Sequence, residues 1–265
     1  MRYLIIFFSI VLYASIGNIK ELKGNVEILR NNNVIKATLN MGVETNDTVF
    51  THEDSKAKIV FKDNTIITIG KNSTFKISEY LYGSKPKAKF NFLKGTFVSV
   101  TGKIGKIAPK RFKLQTKNAS IGIRGTIVFG QIFYGGDVVG CSSGLISVAK
   151  GGKSVLVKPG EMVGVFGDTI TSPLKASYGY LKSIFSSLKL SPADIKNFFP
   201  HFSNENNQSK VAVQNTEMNV TKTPKQLPEL TWKDYKIDKR IPSLHKTFEP
   251  INFDNKLLFE NLKFK

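Results

Sequence analysis

The stretch from Phe112 to Gly130 constrains the chain more than any other. Phe112, Leu114 and Thr116 alternate with polar residues as in a half-buried strand, and Ile127 and Phe129 resume the alternation beyond it. Between them Gly122 and Gly125 bracket Ile123-Arg124, and glycine permits a positive φ or a close backbone approach that a side chain forbids. The pattern predicts two strands joined by a tight turn, with Arg124 as its one charge. Two roles are open to that guanidinium. Its five fixed donors can satisfy several carbonyls where strands change direction, or, turned outward, it can bind a carboxylate or phosphate.

The flanking sequence reads as more short strands. Val26 and Ile28 alternate, Asn31-Asn32-Asn33 turns the chain, and Asp63-Asn64 separates Ile59 to Phe61 from Ile66 to Ile69 at the spacing of a two-residue hairpin. Lys85-Pro86-Lys87 is a break, Phe90 to Val100 continues the strand pattern, and Gly135-Gly136 and Gly151-Gly152 mark further hairpins. An all-β domain follows over residues 18–172, either a sandwich or a short-stranded rolled, solenoid-like sheet. At Ser172-Pro173 the period changes. Ser172 can cap a helix with Pro173 in its first position, and Leu174, Tyr178, Leu181, Phe185 and Leu188 recur at helical spacing. Ser191-Pro192 repeats the start signal for a shorter helix. This pair, residues 173–200, is expected to cover an open end of the sheet; docking on a membrane surface or a partner is the other reading. Residues 201–265 read as a largely disordered, flexible tail in which apolar residues such as Trp232 and Tyr235 are candidate partner-binding anchors.

Met1-Arg2, an apolar run over Tyr3 to Leu12 and small residues at Ala14, Ser15 and Gly17 have the form of a cleaved signal peptide, residues 1–17, cut after Ala14 or Gly17. The apolar run is too short to span a bilayer, so an exported mature chain without a transmembrane segment is expected. Cys141 is the sole cysteine, which excludes an internal disulfide and cysteine-based metal clusters, and its neighbours mark it as a buried filler. The net charge is +19 and uneven: no Asp or Glu occurs from Tyr80 to Gly136. Lys85, Lys87, Lys89, Lys103, Lys106, Lys110 and Arg111 in that span are candidates for binding a polyanion. In an exported protein the available polyanions are phospholipid head groups, acidic envelope polysaccharide or an acidic partner protein, not nucleic acid. A solvated basic face guarding sheet edges is the alternative.

Gly122-Ile123-Arg124-Gly125-Thr126 resembles the IRGT signature of the FecR-like domain, the periplasmic part of bacterial iron-dicitrate sensor and regulator proteins. Similarity extends upstream through Gly24 to Ile28, Asn46 to Thr51 and Ala57 to Thr65, and downstream through Gly144 to Val148 and Val155 to Glu161, about residues 18–172 in all. The resemblance implies a rolled β domain, a structural role for the five motif residues, and work by contact, without catalysis or cofactor. In the regulators the domain relays the state of an outer-membrane receptor to a cytoplasmic sigma factor through a spanning helix. Here the leader directly precedes the domain, so signalling through another membrane protein is expected instead, in the periplasm or at the cell surface of a Gram-negative bacterium.

Catalytic patterns do not assemble. His52, His201 and His245 belong to separate segments, and Val100-Thr101-Gly102-Lys103 fails as a phosphate loop because Phe97 and Ile104 stand where Gly and Ser or Thr are required. Asp47, Asp63, Asp137, Glu161 and Asp168 fall beside turns, where carboxylates stabilise backbone. Three of five Asn-x-Ser/Thr sites, Asn46, Asn207 and Asn219, carry an acidic residue two positions earlier and resemble the extended acceptor sequence of bacterial asparagine-linked glycosylation. From the acidic content, chance supplies roughly 0.4 such matches. The sequence thus points to a non-enzymatic, exported FecR-like module that binds an envelope protein, with a structural protein holding anionic polysaccharide or lipid through its basic strands as the alternative.

Overall fold

The computed structural model describes residues 15–200. The expectations for residues 1–14, and for His201, Asn207, Asn219, Trp232, Tyr235 and His245, lie outside the described residues. All sixteen strands among the described residues join one open sheet, the rolled alternative and not two separate layers. β1 (Gly17–Lys23) lies between β4 (Gly42–Val43) and β6 (Lys56–Phe61). β2 (Val26–Arg30) joins β3 (Asn33–Lys36) to β5 (Thr48–Thr51), and β5 leads on to β8 (Thr74–Leu81).

The strand that rolls the sheet is β9 (Lys87–Val100). Its first half runs between β8 and β10 (Phe112–Gln115), and its second half between β7 (Ile66–Ile69) and β11 (Ser120–Phe133). The bend falls at Gly95, whose φ of +90° suits glycine and whose missing Cβ leaves room for the Ser73 hydroxyl. β10 runs parallel to β9 and is reached through α1 (Lys103–Ile107) and a 3-10 turn, Pro109–Arg111. β11 pairs along its length with β12 (Gly136–Lys150), which carries β13 (Lys153–Val157) and β14 (Glu161–Phe166). β15 (Thr169–Ile170) and β16 (Leu174–Lys175) end the sheet on β14.

Three sequence expectations change. Gly122 to Gly125 is not a turn between strands but part of continuous β11, with a bulge between Arg124 and Ile127. Gly125 (φ +61°) and the facing Gly144 (φ +82°) supply the positive φ values, and the bulge sits where β11 exchanges β10 for β9 as neighbour. Ser172-Pro173 starts no helix, because Leu174 and Lys175 pair with Met162 and Glu161; α2 (Tyr178–Ser187) begins later, at the Ser177 cap. The Asp63-Asn64 hairpin has three loop residues: Phe61 N donates to Thr65 O (2.9 Å) and Asn64 sits at φ +65°.

The second halves of β9 and β11 are buried on both faces: Phe97 and Val128 point into the main core, Val98 and Phe129 to the opposite side. That side needs a cover, and α2 with α3 (Pro192–Phe198) supplies it. Phe199 packs 5.3 Å from the Phe129 ring and 4.7 Å from Phe185. Ser191 and Asp194 form a complete capping box at the start of α3, as the sequence signal predicts. The main core is aromatic, with Phe61, Phe75, Phe90, Phe92, Phe97 and Phe112 all buried.

Candidate functional site

The first half of β9 alternates strictly. Ala88 and Phe90 point into the core, so Lys87 and Lys89 point out. On one side the antiparallel register sets Glu79 of β8 opposite Lys89; on the other the parallel register sets Lys113 of β10 opposite Lys89 and Phe112 opposite Ala88. The 3-10 turn ending at Arg111 delivers Lys110 and Arg111 to the same end of the sheet. These residues line a cavity of about 220 Å³: Glu79, Lys87, Ala88, Lys89, Lys110, Arg111 and Lys113.

Five cations thus face one carboxylate, and Glu79 is committed to Lys87 at 3.1 Å. Lys89, Lys110, Arg111 and Lys113 make no ion pair among the described residues. Like charges side by side on neighbouring strands are unfavourable, and an anion relieves them. Of the seven sequence candidates, Lys87, Lys89, Lys110 and Arg111 meet here. Lys85 in the loop before β9, and Lys103 and Lys106 on α1, are exposed and do not line the cavity. Sequence reasoning left Lys113 out of the candidate set. Its parity matches an outward position, but only the parallel pairing of β10 with β9 sets it beside Lys89.

Within the motif, Ile123 and Thr126 are buried, whereas Gly122, Arg124 and Gly125 are exposed. The Arg124 guanidinium makes no hydrogen bond among the described residues and so stitches no carbonyls there. The motif's cross-strand bonds come from Thr126: its hydroxyl lies 3.2 Å from Thr101 Oγ1, its N–H donates to that oxygen (3.3 Å), and its carbonyl accepts from Thr101 N (3.0 Å).

Four of the five turn carboxylates hold backbone, while Asp168 is exposed and its side chain makes no hydrogen bond among the described residues. Asp47 accepts from Glu44 N (2.8 Å) and takes two bonds from Arg30, at 2.9 and 2.6 Å. Asp137 accepts from Asn118 N (3.0 Å), and Glu161 from Lys158 N (2.9 Å). Asp63, fully buried, accepts from Thr65 N (3.1 Å), Thr65 Oγ1 (2.8 Å), Tyr80 Oη (3.0 Å) and Ile104 N (3.0 Å), tying the β6–β7 hairpin to α1. Burial, then the Asp63 charge, pushes the Tyr80 phenol well above its ordinary range. Cys141 is buried and its thiol is pushed up to about 11, mainly by desolvation. His52 is paired with Glu27 at 2.9 Å on the surface. Among the described residues no three His, Cys, Asp or Glu gather as metal ligands, and no helix is long and apolar enough to cross a membrane. Asn46 is exposed in a turn at φ +72°, but the acidic residue before it, Glu44, is held by Arg30 at 2.6 Å.

A family model described as FecR protein matches residues 47–151, from the turn before β5 to the end of β12. No curated protein matches the chain. Two crystal structures of a candidate anti-sigma factor from Parabacteroides distasonis ATCC 8503 are similar over 51% of this chain, at 11% and 10% identity with a TM-score of 0.43 each. The matched region spans 62% and 63% of those chains.

Proposed function

We propose, from the FecR domain that this chain carries across residues 47–151, that the protein is a non-enzymatic envelope module that works in signalling by contact with another envelope component. The observation that carries this reading is the basic pocket: four cations without ionic partners converge on an open cavity, while the turn carboxylates Asp47, Asp63, Asp137 and Glu161 are engaged with backbone. The chain acts in the periplasm or at the surface of a Gram-negative cell. Its leader is cut after Ala14, because a cut after Gly17 would remove a residue of β1 that pairs with Val43 and Phe61, and with it Ile16, whose N–H donates to Val43 O (2.9 Å). Glycosylation, where the host has the enzyme, falls on Asn207 and Asn219, since Glu44 beside Asn46 is engaged. Terminal sequencing and intact mass of the native protein check both statements.

The contact itself is tested in cells. A photo-crosslinking residue in place of exposed Lys85, next to the pocket, is expected to capture a discrete envelope component, and one in place of exposed Val34 on β3 is not. Capture of nothing at either position overturns the reading. The unpaired lysines also favour a structural protein that holds anionic polysaccharide or lipid. Capture of polymer alone, lost as salt rises, would establish that reading in place of signalling. Deleting residues 203–265 separates a contact through Trp232 and Tyr235 from one through the pocket.

A further inference from the structure

We infer that the basic pocket receives a single phosphomonoester group, free in solution or at the head of an anionic lipid; this rests on the reading that the pocket is a contact site. Size comes first. At about 220 Å³ the cavity falls below the roughly 300 Å³ at which pockets for drug-sized ligands begin, so it suits one compact group and not a wrapped polymer.

Charge comes second. A monocarboxylate would leave most of the cations at this site uncompensated. A phosphate group offers several acceptor oxygens and up to two negative charges, which suits one planar guanidinium and converging ammonium groups. Arg111 supplies the fork. It directly precedes Phe112, which the parallel register sets opposite Ala88, so Arg111 stands at the Lys87 end of the cavity while Lys89 and Lys113 stand side by side at the other. Glu79, opposite Lys89 and paired with Lys87, sets one wall and leaves Lys89 without an ionic partner.

Surroundings come third, and they concern the source of the phosphate. Leu81, the last residue of β8 and opposite Lys87, and Tyr82, the first of the loop into β9, are 47% and 40% exposed beside Lys85 and Lys87. Apolar residues beside cations favour a headgroup at a lipid surface over a free phosphate in solution.

The test uses the full mature chain and two variants: Lys89→Gln with Arg111→Gln in the pocket, and Lys153→Gln with Lys175→Gln on exposed strands outside it. Calorimetry with inorganic phosphate and glycerol 3-phosphate is paired with sedimentation on phosphatidylcholine vesicles with and without phosphatidic acid. The pocket variant is expected to lose at least about tenfold in affinity and the control less than about twofold, with circular dichroism melts showing both folded. Vesicle binding competed by glycerol 3-phosphate assigns the site to lipid; binding of the soluble phosphates without vesicle binding assigns it to a free phosphomonoester. No binding in either arm, vesicle binding indifferent to soluble phosphate, or equal loss in both variants overturns the inference. Crosslinking from position 85 in the pocket variant separates the two claims. Capture that persists without phosphate binding leaves the contact function standing and removes only the ligand.

Discussion

Asp63 shows how much one buried side chain can organise. Its four acceptor contacts connect a hairpin, a strand and a helix start. Asp63→Asn replaces one acceptor oxygen by a donor facing donors, and chemical denaturation should show a loss of about 3 kcal/mol or more, whereas Tyr80→Phe should cost about 1 to 2. The motif residues separate in the same way. Arg124→Ala is expected to leave stability within about 0.5 kcal/mol, because its side chain is exposed and makes no bond among the described residues. Thr126→Val is expected to cost about 1 kcal/mol by removing the buried hydroxyl–hydroxyl bond to Thr101 Oγ1, which keeps only the Thr126 N–H. The sequence made the backbone role of Asp47, Asp63, Asp137 and Glu161 legible, since turns and carboxylates occur together, but not the lack of one at Asp168. It left the outward direction of Arg124 open, because residue type alone does not reveal which side of a strand faces the core.

Among the elements, β9 and β11 were legible as strands but not as bent ones. Each reads as a run interrupted by glycine, and a glycine interruption can end a strand, bulge it or bend it; which occurs depends on the neighbours across the sheet. The bulge gives an ordered pair of expectations. Gly144→Ala should destabilise more than Gly125→Ala, since both have positive φ but a Cβ on Gly144 would also meet the Gly125 carbonyl oxygen at 2.5 Å. The helical cover carries its own pH dependence. Glu21 accepts from Lys56 (2.8 Å) and Lys58 (2.7 Å), and Lys58 also reaches Asp194 of α3 at 3.3 Å. Burial raises both carboxyls, but the lysine bonds to Glu21, and the Ser191 bonds with the Lys58 charge at Asp194, hold both below the ordinary carboxylate range. The folded values are depressed, so their stabilisation is complete above the unfolded values near 4 and is lost as pH falls from there through the lower folded values. The melting temperature should therefore drop as pH falls below about 5, and Asp194→Asn should flatten that drop.

For the molecule as a whole, sequence and structure agree on an all-β rolled domain with a helical pair, because strand alternation and helix caps are local signals. The pocket was only half legible. A run without acidic residues marks the basic region, but its concavity depends on the parallel placement of β10, which joins residues more than twenty positions apart. The helical cover spans a greater distance still: Lys58 meets Asp194 across 136 positions, and Ser142 donates its hydroxyl to the Phe198 carbonyl. A chain synthesised or threaded through a membrane from its N-terminus thus completes β1 and β6 long before their last partner emerges. Until then Phe129 and its neighbours have no lid, and the half-made domain presents a greasy strip to whatever lies nearby. The order of emergence makes the final thirty residues of the described domain the closing step of its assembly, and a chain halted short of them should be the form that chaperones hold and proteases clear.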